Sequence, residues 1–129
     1  MADNPAVVRT AYEAFARGDV PAAFAVMVPD VSWTEAEGFP YAGTYVGADA
    51  ILANVFMKLG SEWEGYAAIP QQFVADGDTV VVLGQYSGKY NATGKSFAAP
   101  FAHVWNLRDG KIIRFRQITD TAVVQRALR

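Results

Sequence analysis

Apolar residues recur every three or four positions near the start of the chain. Val8, Ala11, Tyr12 and Phe15 form one stripe, the spacing of an amphipathic helix. Asn4-Pro5 reads as a cap followed by proline at the first helical position, and Gly18 ends the helix. Asp19 caps a second, short helix with Pro21 near its start and Phe24, Met27 and Val28 inward; Pro29-Asp30 stops it. The period then changes to two. Val31 to Glu35 alternates like a strand, so Trp33 and Glu35 point the same way. Glu37 to Gly47 holds three glycines and a proline and reads as a loop. Asp49 opens a third helix with a broad apolar face (Ile51, Leu52, Val55, Phe56, Leu59), closed by Gly60.

From Trp63 onward the pattern is strand-like. Gln72 to Ala75 and Thr79 to Tyr86 flank a turn at Asp76-Gly77-Asp78, and a further turn lies near Asn91 to Lys95. The closing hairpin joins Phe97–Leu107 to Lys111–Thr119 through Asp109-Gly110, a strong two-residue turn signal. Two registers are open. A plain turn pairing Arg108 with Lys111 puts Ala102, Val104 and Asn106 on one face with Ile113, Phe115, Gln117 and Thr119. Phe101, His103 and Trp105 then share the other face with Arg114, Arg116 and Ile118. A bulge at Gly110 slips the pairing by one, and His103 and Trp105 face Phe115 and Gln117 instead. The first register is preferred because it lines a cavity with the smaller residues. It leaves Trp105 between two arginines on a partner-facing surface, a cation–π arrangement. Val123 to Leu128 is a short tail able to form a helical turn.

Helices, a strand, a helix, then antiparallel strands make an α+β fold in one domain, residues 1–129. A strongly curved, mainly antiparallel sheet with the three helices of the N-terminal half on its concave side forms a cone open at one end. The chain has no cysteine, which excludes disulfides and thiolate chemistry, and one histidine, which argues against a histidine-rich metal site. A net charge of −2 with mixed signs argues against a nucleic-acid partner. No apolar run reaches membrane-spanning length, and the N-terminal segment lacks the pattern of a secretory leader. The expectation is a cytoplasmic protein with no membrane partner.

Three stretches carry a family likeness: YEAFARGDVPAAFAVMVPDVSWTE, YAGTYVGADAI and APFAHVWNLRDGKIIRFRQITD. Together they resemble the SnoaL-like proteins, which share a superfamily with ketosteroid isomerase, limonene epoxide hydrolase and nuclear transport factor 2. The resemblance spans about Val7 to Val124. It implies a cone with a deep pocket, usually in a homodimer packed sheet on sheet. It implies chemistry without cofactor or metal on a small apolar organic ligand. The general base of ketosteroid isomerase falls on Glu35. Its oxyanion-donating tyrosine falls on Ala11, with Tyr12 adjacent but turned about 100° round the helix. Its supporting aspartate falls on Ala102, with His103 one place on. The catalytic aspartate of limonene epoxide hydrolase and the SnoaL cyclases falls on Gln117, two places after Phe115. Asp120 lies three residues further, at the strand end.

The resulting expectation is a small isomerase-, cyclase- or hydratase-type enzyme acting on an apolar carbonyl or hydroxylated ring compound. Glu35, Asp120 and His103 are the candidate acid/base groups; Trp33, Phe56, Phe115, Gln117 and Tyr12 are the candidate substrate contacts. Each has a plainer role open to it. Glu35 can sit at a wet rim, the aromatics can be core, and His103 can belong to an interface. Gln117 can be a satisfied polar group, and Asp120 can cap the next turn. A non-catalytic binder of apolar ligands on the same scaffold is the alternative, and a purely protein-binding dimer a third.

Overall fold

The computed structural model describes residues 3–129. Helix α1 (Asn4–Ala16) is capped by Asp3, whose carboxylate accepts from Ala6 N at 3.1 Å. The expected cap, Asn4, is instead buried, and its amide donates to Gly77 O and Asp78 Oδ1. Helix α2 (Val20–Ala25) is capped by Asp19 as expected. It ends earlier than Pro29, because Met27 already begins strand β1 (Met27–Glu35). The Glu37–Gly47 stretch is not all loop: Gly43–Val46 is β2, paired with β1 at the sheet edge. The glycines at either end disguised it, although Thr44, Tyr45 and Val46 are all good strand formers. The third helix comprises α3 (Ala48–Ile51), a π-helical stretch at Leu52–Phe56, and α4 (Met57–Glu62), passing through Gly60.

Strands β3 (Trp63–Asp76), β4 (Thr79–Tyr90), β5 (Ser96–Arg108) and β6 (Lys111–Thr119) follow, and α5 (Thr121–Ala127) closes the described chain. One six-stranded sheet results, in the order β2-β1-β6-β5-β4-β3. Every pairing is antiparallel except β1 with β6. Helices α1 to α4 pack over one face of this open, curved sheet.

The closing hairpin departs from the preferred register. Its turn is the two-residue one, with Asp109 and Gly110 both at positive φ (51° and 75°) and Arg108 opposite Lys111. One residue later the ladder slips. Leu107 pairs with Ile112, but Asn106 pairs with Arg114, so Ile113 is a bulge. From there His103 lies opposite Gln117, and Trp105 opposite Phe115. Phe101, His103, Trp105 and Leu107 therefore face inward and are buried, while Ala102, Val104 and Asn106 face outward. The supposed partner-facing tryptophan between arginines does not exist: Trp105 is 1% exposed, and Arg114 Nε donates to Asn106 Oδ1.

Curvature has its own local requirement. A Cβ at Gly84 would lie 2.2 Å from Ile69 O and 2.4 Å from the Phe101 ring. Only glycine lets β3 and that ring approach so closely. The core is aromatic. Trp33 stacks on Phe115 (3.9 Å between centroids), Phe15 on Phe56 (4.6 Å), and Phe101 on His103 (3.9 Å).

Candidate functional site

Glu35 is the last residue of β1 and its side chain turns under the helices, 5% exposed. Alternation along β1 sets Trp33 beside it, and the indole Nε1 donates to Oε1 at 3.3 Å. The other oxygen, Oε2, is buried with no hydrogen-bond partner. Burial pushes this carboxyl up to about 8, against the smaller opposing effect of the Trp33 bond. Near neutral pH it is predominantly a neutral acid. The wet-rim position is thereby ruled out for Glu35.

Next to it runs a chain of buried polar groups. Ala36 N donates to Gln117 Oε1 at 2.9 Å, and Gln117 Nε2 donates to the Tyr86 hydroxyl at 3.0 Å. Tyr86 meets His103 Nε2 at 2.5 Å; His103 Nδ1 meets the Tyr12 hydroxyl at 2.5 Å. Trp105 Nε1 donates to that hydroxyl at 3.0 Å. Four secondary-structure elements contribute, α1, β4, β5 and β6, with the backbone just past β1, and strand alternation puts the strand members on the inner face. Burial holds His103 well below the usual imidazole range, so it is neutral. Burial also holds Tyr86 and Tyr66 well above theirs, with the negative charge of nearby Glu35 adding to both.

Four of the sequence candidates thus gather around the inner face: Glu35, His103, Gln117 and Tyr12. His103 pairs with two tyrosines rather than with Glu35 or Asp120. Gln117 spends its carbonyl on Ala36 and an N–H on Tyr86, so it positions Tyr86. Trp33, Phe56 and Phe115 form one contiguous aromatic cluster, core and inner wall at once. Asp120 stands apart: it is exposed and caps α5, accepting from Val123 N at 3.3 Å. Ala102, the position matched to a supporting aspartate, faces outward. Two members were missed in the sequence. Tyr86 was legible from the alternation Val80, Val82, Gly84, Tyr86, all buried. Trp105 was misplaced with the register.

Two surface depressions, of about 540 and 410 Å³, lie elsewhere. The first is lined by Lys95, Phe97, Val123 and Arg126, the second by Val28, Asp30, Arg108 and Lys111; neither includes Glu35. Among the described residues no three potential ligands gather as a metal site, and no helix is long and apolar enough to cross a membrane.

The SnoaL-like domain family matches residues 8–115. The chain belongs to the SnoaL-like family. A nuclear transport factor 2-like protein from Burkholderia thailandensis is 46% identical at TM-score 0.96, covering 100% of this chain and 99% of that one. TerC, solved co-crystallised with polyporic acid, is 28% identical at TM-score 0.87, with 97% of each chain covered. A Jannaschia protein described as a SnoaL-like polyketide cyclase is 19% identical at TM-score 0.83, over 96% of this chain and 92% of that one, a likeness of fold alone. Among curated proteins none matches.

Proposed function

We propose that this SnoaL-like protein is a small enzyme of isomerase, cyclase or hydratase type. It acts on an apolar carbonyl or hydroxylated ring compound, with Glu35 moving the proton. The observation that carries this reading is the Glu35 carboxyl: sealed from water, one oxygen held by an indole N–H, the other unpartnered. A buried carboxyl without a countercharge costs stability, so its retention at the centre of an aromatic interior speaks for use. Desolvation makes its carboxylate a stronger base than an ordinary one. The apolar surroundings of Trp33, Phe56 and Phe115 select a ring compound rather than a charged one. The SnoaL-like scaffold of a relative crystallised with polyporic acid supports a small organic ligand.

Glu35 takes a proton from a carbon beside a carbonyl and returns it at a second position, so no external reductant, oxidant or metal enters the balance. Solvent-deuterium exchange into a panel of cyclic ketones, followed by NMR, tests this. Wild type is expected to catalyse exchange, with kcat/KM rising with pH to a plateau above about 8. Glu35→Gln is expected to abolish exchange and leave ligand affinity within about threefold. Equal exchange rates for the two proteins remove Glu35 from the mechanism.

One observation favours the alternative, a non-catalytic binder of apolar ligands. His103 and Gln117 are already satisfied by protein partners, so Glu35 alone among them has a free oxygen. Tight binding in the Glu35→Gln variant, together with no exchange by wild type across the panel, decides for it.

A further inference from the structure

The buried chain from Trp105 to Gln117 can be counted proton by proton. Both ends are donors only. The Trp105 indole N–H has no acceptor capacity, and it points at Tyr12. At the other end the Ala36 backbone N–H can only donate, which fixes the Gln117 carbonyl toward Ala36 and its NH₂ toward Tyr86. Each tyrosyl oxygen therefore already accepts one hydrogen bond from outside. Between them lie two gaps, Tyr12 to Nδ1 and Nε2 to Tyr86, each taking one proton. Three protons are available: the two hydroxyl protons and the single N–H of a neutral imidazole. One hydroxyl proton is always left over.

The tautomer of His103 decides whose it is. With the proton on Nδ1, Tyr12 accepts and its own hydrogen is spare. With the proton on Nε2, Tyr86 accepts and its hydrogen is spare. The surroundings of the two ends differ. Tyr12 sees the rings of Phe73 and Trp105, both edge-on to it. Besides Glu35 Oε2, the buried unpartnered acceptor is Asn4 Oδ1, about two turns away at the start of α1 and out of its reach. Tyr86 sits over Gln117. The β1–β6 pairing, Trp33 with Phe115 and Thr34 with Arg116, puts Glu35 next in register beside that same glutamine. Glu35 Oε2 is unpartnered, and the residue is near enough for its charge to act on Tyr86. A spare donor and a spare acceptor thus flank Gln117 in one dry interior.

We propose that His103 is held as the Nε2–H tautomer and so positions Tyr86 to donate its own hydroxyl proton to a carbonyl or phenolic oxygen of the ligand beside Glu35. The ligand class rests on the function proposed above; the tautomer and the direction of the proton do not. In the ligand-free protein that proton favours the ionised form of Glu35, whose other ionisable neighbours are Tyr66 on β3 and Tyr86 itself on β4.

Because the chain has a single histidine, protein labelled with ¹⁵N-histidine reports one imidazole. The expected spectrum shows neutral Nε2–H at neutral pH and still below the ordinary imidazole range. An Nδ1–H or doubly protonated ring overturns the proposal. The Glu35 titration, followed by its ¹³C carboxyl signal, is expected to move up by roughly one unit in Tyr86→Phe. It is expected to move little in Tyr12→Phe. Equal shifts in the two variants overturn the proposal. With 4-nitrophenol as probe, Tyr86→Phe is expected to weaken binding by about tenfold and Tyr12→Phe by less than about threefold. Absence of binding to wild type, or equal losses, sinks the ligand part. A Glu35→Gln variant that keeps full exchange activity beside an Nε2–H spectrum sinks the proposed function instead, so the two failures are told apart.

Discussion

Glu35 and His103 are titratable groups buried in their neutral forms, and they load the stability of the protein in opposite directions. The Glu35 carboxyl, raised from 4.5 to about 8, keeps its proton in the native state after the unfolded chain has lost it. Stability therefore falls as pH rises from about 4.5 to about 8, by at most about 1.4 kcal/mol per pH unit. His103, lowered from 6.5, stays neutral in the native state where the unfolded chain takes up a proton. Its contribution is lost as pH falls below about 6.5. Between the two ordinary values the slopes cancel, so these groups leave a flat maximum at mildly acidic pH. Urea unfolding is expected to give a higher midpoint at about pH 5.5 than at about pH 8.5, and Glu35→Gln, which leaves only the His103 slope, is expected to reverse that difference. At this scale the sequence was informative about direction but silent about depth. Alternation alone put Trp33 and Glu35 on one side. Whether that side was wet depended on helices and strands far away in the chain.

The β5–β6 hairpin shows where local reading ends. Asp109-Gly110 specified its turn, because a turn is decided by the backbone freedom of adjacent residues. The bulge at Ile113 has no such local signature. It lets Ile112 N donate to Val26 O on the way into β1 while Phe115 still stacks on Trp33. Two tertiary demands on one strand are met by one extra residue, and everything beyond it changes face. Gly84 belongs to the same element scale. Gly84→Ala is expected to cost about 1 to 3 kcal/mol and to broaden the His103 signal, since the added carbon pushes on Phe101, which stacks on His103. Thermal unfolding and the imidazole spectrum check both halves. At the start of α5, Asp120→Ala is expected to cost about 1 kcal/mol as a lost cap, with exchange activity unchanged. A variant that folds normally but loses exchange would restore Asp120 to the chemistry.

At the scale of the whole molecule the sheet leaves its outer face uncovered. Leu83, Ala102 and Ile118 form one row across β4, β5 and β6, with Leu83 40% and Ile118 57% exposed; Val81 and Val104 continue it. The homodimer expected from the sequence would therefore have a different basis from the one first assigned to it: exposed apolar residues in place of the buried tryptophan, with Arg116 beside Val104. Sedimentation is expected to give a dimer at micromolar concentration, and Leu83→Glu a monomer; a monomeric wild type contradicts it. What the sequence determined by itself was everything set by neighbours along the chain. That covers the helix stripes, the Asp19 cap, the Asp-Gly turn, the α+β order, the family likeness and the shared side of Trp33 and Glu35. Only the tertiary structure decided which face of β5 is the inside, that His103 bridges two tyrosines, and that Asp120 is a cap. The reason is physical: side-chain direction in a strand has a period of two, so one bulged residue, placed by contacts distant in sequence, reverses every assignment beyond it.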